Sequence, residues 1–172
     1  MERVAASVRR ARDIRSAGSG PTAGPAFPVA VPTHVSALLD FASGPTATSV
    51  FSWDSAHPHI HFEIVGTEGT LSVPDPNTFG GPLRVRRNEA SDWAELPVTG
   101  RTDGRGLGVV DMARALRSGA LPRASGALAL HVLRTMAAVT DSASRGEFTR
   151  PAEQVVRPAA LPADWDPTRP TL

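Results

Sequence analysis

The sequence predicts an α+β domain, with an open, mostly antiparallel sheet and two main helices packed on one of its faces. Three observations lead to this class. Short runs of residues typical of strands follow one another over the first hundred positions, with turn residues between them. Two segments with the apolar spacing of helices come after these runs. Closely spaced strands pair antiparallel, and strands followed by helices are typical of α+β folds.

The strand predictions rest on β-branched and aromatic residues that lie between turns. The first predicted strand falls within residues 4–14, and the Gly-, Pro-, Ser- and Ala-rich residues 16–32 predict a long loop. Six further strands are predicted at residues 35–41, 46–53, 59–65, 70–73, 83–87 and 93–98. Residues 148–156 are a candidate last strand, which Pro151 places at an edge of the sheet.

Each predicted helix carries one apolar stripe. In the first, which ends at Gly119, four apolar residues recur at i, i+3, i+4 and i+7: Val109, Met112, Ala113 and Leu116. The second begins after the N-cap candidate Ser125 and ends at Gly146. Its stripe comprises six residues: Leu128, Ala129, Val132, Leu133, Met136 and Val139. We expect the two helices to cover one face of the sheet.

Length and composition limit the classes of protein that fit. A chain of 172 residues is one domain by the usual prior; we predict that domain over residues 1–158, followed by a Pro-rich tail over residues 159–172. No run approaches 18 apolar residues, and the N-terminus lacks the apolar region of a signal peptide, so we expect a cytoplasmic protein without a membrane span. The formal charge of +1 gives little reason to expect nucleic acid as a partner. Cysteine is absent, which excludes disulfides and thiolate chemistry.

The run EIVGTEGTLSVPDPNTFGGP, residues 63–82, is the most distinctive stretch of the chain. It begins as a strand, turns at residues 66–69, resumes as a strand and breaks at Pro74. Asp75 and Asn77 have the side chains that cap a turn. The run resembles the C-terminal domain of the Gfo/Idh/MocA oxidoreductases. Three other segments resemble that domain in the same order: VPTHVSALLDFASG (31–44), GLGVVDMARALRSG (106–119) and RASGALALHVLRTMAAVTDSASRG (123–146).

The resemblance implies a division of labour between two domains. In that family the C-terminal domain binds a sugar-like substrate and mediates assembly, whereas a separate N-terminal Rossmann domain binds NAD or NADP and supplies a catalytic lysine. All 18 basic residues here are arginine, and the Gly-rich residues 18–24 lack the strand and helix that a dinucleotide loop needs. We therefore predict no catalytic residue and no cofactor site in this chain.

The resemblance indicates a substrate-binding and oligomerisation domain of an oxidoreductase that acts on a sugar or polyol, and that is not catalytic alone. The alternative is a standalone binding or assembly module. Such a module would use its open sheet face to form a homo-oligomer or to dock a separate Rossmann domain.

Five residues are candidates for substrate contact because of their places in the resembled family. Trp53, Asp54, His57 and His59 precede the strand at residue 63, and Arg105 precedes the first helix. Histidine and aspartate hydrogen-bond sugar hydroxyls, and a tryptophan ring stacks on a sugar ring. These roles are implied by the resemblance.

The alternating residues His57, His59 and His61 also match a ligand set for a transition metal. In an extended segment their side chains share one face with Glu63. Pro58 interrupts the strand pattern, however, and the sequence offers no fourth ligand that can be assigned. The other interpretation is a polar sheet face, and we predict no metal site.

Overall fold

The computed structural model of the chain describes residues 1–18, 20–21, 23–57, 59–78, 80–101, 104–151 and 155–169. It divides into two compact units, and each is considered by itself. Unit 1 comprises Met1–His57 and Gly126–Val156, and unit 2 comprises Pro58–Ser125 and Arg157–Leu172. The division into a domain of residues 1–158 and a tail stays a prediction. None of the described helices combines the length and the apolar character that crossing a membrane requires.

The elements follow the predicted order. They are β1 (Arg3–Arg9), β2 (Ile14–Ser16), β3 (Ala26–Pro28), β4 (His34–Asp40), β5 (Thr46–Ser52), β6 (Glu63–Val65), β7 (Gly69–Ser72), β8 (Leu83–Arg87), β9 (Ala94–Leu96), α1 (Leu107–Ser118) and α2 (Gly126–Arg145). The α+β class is confirmed, and every described strand pair is antiparallel. The described strands form three sheets, ordered β1-β4-β5, β2-β3 and β6-β7-β8-β9.

Two strand predictions differ from the structure in extent. The predicted loop over residues 16–32 contains the second half of a short hairpin, formed by β2 and β3. The strand predicted over residues 59–65 begins only at Glu63. His59 and His61 therefore lie before the strand.

Unit 1 is built where α2 packs against β1. Its buried apolar residues are small or medium-sized: Val4, Val29, Ala37 and Ala138. Small side chains let a helix approach a strand closely, but each of them removes little apolar surface from water. The hydrogen bonds at this contact consequently carry much of its specificity.

The hydroxyl of Ser142 joins three segments of unit 1. Ser142 is 1% exposed. Its Oγ accepts the N–H of Ala6 at 3.0 Å and donates to the carbonyl of Glu147 at 2.6 Å. The backbone N–H and C=O of Val4 pair with Thr149 at 2.8 and 2.9 Å. These bonds satisfy the outward N–H and C=O of Val4 and the N–H of Ala6, so this part of edge strand β1 is not free to pair with other chains.

The candidate last strand is reduced to this contact. Within residues 148–156, the described residues form a single bridge, between Val4 and Thr149. Residues 152–154 lie outside the described part of the chain.

Arg3 connects the start of β1 to two other segments. Its Nε donates to Asp40 at 2.6 Å, and its guanidinium lies 4.5 Å from the centre of the Phe148 ring. The hydroxyl of Thr46 also donates to Asp40. Hydrogen bonding from Arg3, with a smaller contribution from Thr46, holds the pKa of Asp40 below its usual range.

Both helices end at the predicted glycines, but their large apolar residues point outward. Gly119 and Gly146 each adopt φ 70°, the left-handed conformation of a helix C-terminus. In α1, Val109 and Leu116 of the predicted stripe are 70% and 72% exposed, and Ala115 is the buried residue. In α2 the buried residues are Ala138 and Ser142, and four stripe residues are exposed: Ala129, Val132, Leu133 and Met136. The buried residues of each helix are thus its small ones, Ala115 in α1 and Ala138 and Ser142 in α2.

In unit 2, arginine side chains hold residues 157–169 against α1. Arg114 donates to the carbonyls of Asp166 and Arg169, and its guanidinium lies 4.9 Å from the centre of the Trp165 ring. Arg123 pairs with Asp111 of α1 and donates from Nε to the carbonyl of Ala159 at 3.1 Å.

The distinctive run over residues 63–82 forms the β6–β7 hairpin and the turn after it. The N–H of Gly66 donates to the carbonyl of Gly69 at 2.9 Å and closes the hairpin. A Cβ atom on Gly69 would lie 2.5 Å from the carbonyl oxygen of Arg86 on the neighbouring strand, so only glycine fits. The Asp75 carboxylate accepts the N–H of Asn77 at 2.9 Å, which is the predicted turn cap.

We predict that Ser142→Ala lowers the free energy of unfolding by about 1–3 kcal/mol, because the buried N–H of Ala6 loses its acceptor. Urea denaturation followed by circular dichroism measures the change. Ser144→Ala is the matched control: Ser144 lies on the same helix, is exposed, and bonds only to the carbonyl of Asp141 in its own helix. Equal effects of the two substitutions would contradict the role assigned to Ser142.

We predict that Gly69→Ala destabilises unit 2 by about 1–3 kcal/mol, because β7 and β8 must separate to admit the methyl group. Gly66→Ala serves as the control, since a Cβ there meets the nearest atom at an ordinary 3.6 Å. Thermal unfolding of the two variants provides the comparison. A Gly69 variant as stable as the Gly66 variant would rule out the close strand approach.

Candidate functional site

Trp53 and Asp54 form a corner directly after β5, and Thr33 holds both of them. The N–H of Trp53 donates to the carbonyl of Thr33 at 2.9 Å. The hydroxyl of Thr33 donates to Oδ2 of Asp54. The N–H of Asp54 donates to Oγ of Ser52 at 3.3 Å. Hydrogen bonds to the backbone of both residues and to the side chain of Asp54 therefore hold the corner.

The Trp53 ring is exposed although its backbone is fixed. Trp53 is 63% exposed, and Phe51, two positions earlier, is also exposed. A guanidinium nitrogen of Arg15 donates to the Trp53 carbonyl at 2.9 Å. An aromatic face open to solvent beside a carboxylate offers an apolar surface and a hydrogen-bond acceptor within one short segment.

The other three predicted residues are exposed. His57 is the last residue of unit 1, and His59 and Arg105 belong to unit 2. Of the five predicted substrate residues, the corner brings Trp53 and Asp54 together. Assignment of all five to a substrate stays a prediction.

The histidine segment is not a strand, but two of its rings still share a side. His59 and His61 stack with ring centres 5.8 Å apart and planes at 14°. Nε2 of His61 lies 3.4 Å from Oε2 of Glu63. Among the described residues, no three side chains of His, Cys, Asp or Glu are grouped so that they could hold a metal ion. The metal hypothesis therefore gains no support from this segment.

Arg105 lies immediately before the N-terminus of α1. Gly106 is the N-cap at φ 88°, and no side chain caps the helix or places an acidic group in its first turn. The positive end of the helix and the neighbouring guanidinium favour an electron-rich ligand atom at this place. Contact of Arg105 with a substrate stays a prediction.

The Gly-rich residues 18–24 do not fit a dinucleotide. They connect β2 to β3, which are antiparallel partners, and the N–H of Gly24 donates to the carbonyl of Ala17 at 2.9 Å. Pyrophosphate binding requires free N–H groups at the start of a helix that follows the loop. Residues 19 and 22 of this segment lie outside the described residues.

Sequence reasoning missed Thr33, Ser52 and Arg15 as supports of the corner. Thr33 is 21 positions from Asp54, and Arg15 is 38 positions from Trp53. No local pattern reports a contact at such a separation. The one available signal is the polar Thr33 immediately before β4, the strand that pairs with β5 in register from His34↔Ser52.

Comparison with known proteins gives a family and a fold. The family model described as GFO/IDH/MocA C-terminal domain matches residues 1–72. No curated protein matches the chain significantly. The segments after residue 72 that resemble the family are supported by structural similarity alone.

Several solved structures share the fold. Levoglucosan dehydrogenase in its apo form is 20% identical with a TM-score of 0.68, covering 90% of this chain and 46% of its own. The aldose-aldose oxidoreductase from Caulobacter crescentus, complexed with glycerol, is 18% identical with a TM-score of 0.64, covering 87% of this chain and 41% of its own. An oxidoreductase domain protein from Kribbella flavida is 25% identical with a TM-score of 0.61, covering 88% and 46%.

The chain spans less than half the length of each of these three structures. Solved structures that are less than 25% identical to this chain establish its fold. The family model adds a similarity in sequence over residues 1–72. The chain is therefore similar to the Gfo/Idh/MocA C-terminal domain by sequence over residues 1–72, and about nine-tenths of its length shares the fold of these oxidoreductase structures.

Proposed function

We propose that the chain is the substrate-binding and oligomerisation domain of a Gfo/Idh/MocA-type oxidoreductase that acts on a sugar or polyol, and that it is not catalytic alone. The match of residues 1–72 to the family's C-terminal domain carries the proposal. Among similar structures, levoglucosan dehydrogenase was solved in complex with NADH and levoglucosan. The Caulobacter crescentus enzyme was solved with glycerol. Both ligands carry hydroxyl groups, which suit the Trp53–Asp54 corner.

The chemistry available to these residues is binding and orientation. Asp54 accepts hydrogen bonds, His57 and His59 can donate or accept them, and Trp53 provides an apolar surface. NAD or NADP, bound by a nucleotide-binding domain, supplies hydride transfer in this proposal. Lysine is absent from the chain, so the catalytic lysine that the resemblance implies would also come from another domain.

The exposed surface supports a domain that is completed by association. Large apolar residues of both helices are exposed, among them Val109 and Leu116 of α1 and Val132, Leu133 and Met136 of α2. Such surfaces mark interaction sites in soluble proteins.

The second candidate is a standalone assembly module. Here the open face of the β1-β4-β5 sheet forms a homo-oligomer or docks a separately encoded Rossmann domain. Val50, which is 66% exposed and in register with Ser36 and Ser7, lies on this face. In either case we propose a cytoplasmic location, which a composition without cysteine suits.

We predict that the chain alone binds neither NAD(H) nor NADP(H) with micromolar affinity and does not oxidise sugars. Isothermal titration with each of the four nucleotides measures the affinity. A full-length levoglucosan dehydrogenase serves as the positive control. Micromolar binding to this chain would overturn the assignment of cofactor binding to another domain.

We predict that Val50→Glu dissociates the homo-oligomer, since a charge would be buried at the sheet face. Leu121→Glu, at an exposed apolar residue (90%) that lies outside the sheets and both helices, leaves the oligomer intact. Sedimentation velocity over a hundredfold range of concentration measures the state. A monomeric wild-type chain, or dissociation by the Leu121 variant alone, would contradict assembly through the sheet face.

A further inference from the structure

We infer that Thr33 is a positioning residue for a carbohydrate diol: it holds one carboxylate oxygen of Asp54 so that the other faces substrate hydroxyls beside the Trp53 ring. The inference rests on the proposed function and assigns the substrate class to one corner of it. Thr33 lies outside the predicted set of substrate residues.

The burial of Thr33 is the first argument. The residue is only 5% exposed, yet it carries a hydroxyl. A buried hydroxyl requires a hydrogen-bond partner, and this one donates to Asp54. The carbonyl of Thr33 accepts the N–H of Trp53 at 2.9 Å. One buried residue thus holds the carboxylate of Asp54 and the backbone of Trp53, which are adjacent in the chain.

The second argument concerns the free oxygen of Asp54. Oδ2 accepts from Thr33, and Oδ1 has no protein partner in the described residues. Among the described residues, the one buried side-chain atom without a hydrogen-bond partner is Oγ1 of Thr149. Because Oδ1 of Asp54 has no partner and is not that atom, it is accessible to solvent. A carboxylate accepts and does not donate, so a ligand here must bring donors. Two neighbouring hydroxyls of a sugar supply them.

The third argument concerns Trp53. Its N–H is bonded to Thr33 and its carbonyl to Arg15, so its backbone is held, whereas its side chain is largely exposed. An exposed indole ring offers an apolar face on which a ligand can pack. A sugar has an apolar face of C–H groups and an edge of hydroxyls. It therefore matches the ring and the carboxylate simultaneously, whereas a purely apolar ligand would leave Asp54 without a partner.

The test uses the full chain and levoglucosan as the probe. The three tryptophans give three indole N–H signals in a ¹H–¹⁵N spectrum, and Trp53→Phe assigns one of them. We expect levoglucosan to shift the Trp53 signal. Thr33→Val should weaken the affinity about fivefold, and Thr33→Ser should restore it. Thr48→Val, an exposed threonine on β5, is the matched control and should bind like the wild type.

A double-mutant cycle separates positioning from a merely structural role. If Thr33 acts through Asp54, Thr33→Val has no further effect on affinity in an Asp54→Asn background. Additive effects, or wild-type affinity of the Thr33 variant, would overturn the inference. Shifts confined to signals other than Trp53 would overturn it and leave the proposed function standing. If no signal moves at any sugar concentration, both the inference and the proposed substrate-binding role of the chain fail.

Discussion

The contact between α2 and β1 depends on a hydroxyl with almost no exposure. Ser142 satisfies an outward N–H of the edge strand and a carbonyl of the segment that leaves the helix. Among the described residues of unit 1, the buried apolar ones are alanines and valines, so they include no large apolar side chain. Hydrogen bonds in a site closed to water are strong and directional, and they set the register of helix and strand where apolar packing alone would leave it loose.

The buried surface of each helix consists of small residues, and this affects which residues its exposed surface carries. A helix with Ala138 and Ser142 inward must carry its large apolar residues elsewhere, and in α2 they lie outward. The same holds for α1, where Ala115 is buried and Leu116 is exposed. In both helices the large residues of the apolar period are therefore exposed, whereas the small residues are buried.

The parts of the fold that depend on neighbouring residues could be predicted from the sequence. Glycine at a helix end and an Asx cap after a strand act within a few positions, and both were located correctly. The rotation of the helices could not be predicted, because the period shows an apolar stripe without showing what covers it. The supports of the Trp53–Asp54 corner were missed for a related reason: Thr33 reaches Asp54 only after β4 and β5 have paired.

The arginines on and near α1 contact the chain's last described residues mostly through main-chain carbonyls. Arg123 bonds to the carbonyl of Ala159, and Arg114 bonds to those of Asp166 and Arg169. A guanidinium that binds carbonyls is indifferent to the side chains carried by those residues. The segment can therefore accumulate substitutions in evolution without detaching from the helix. Trp165 is the exception, since its ring itself lies under Arg114.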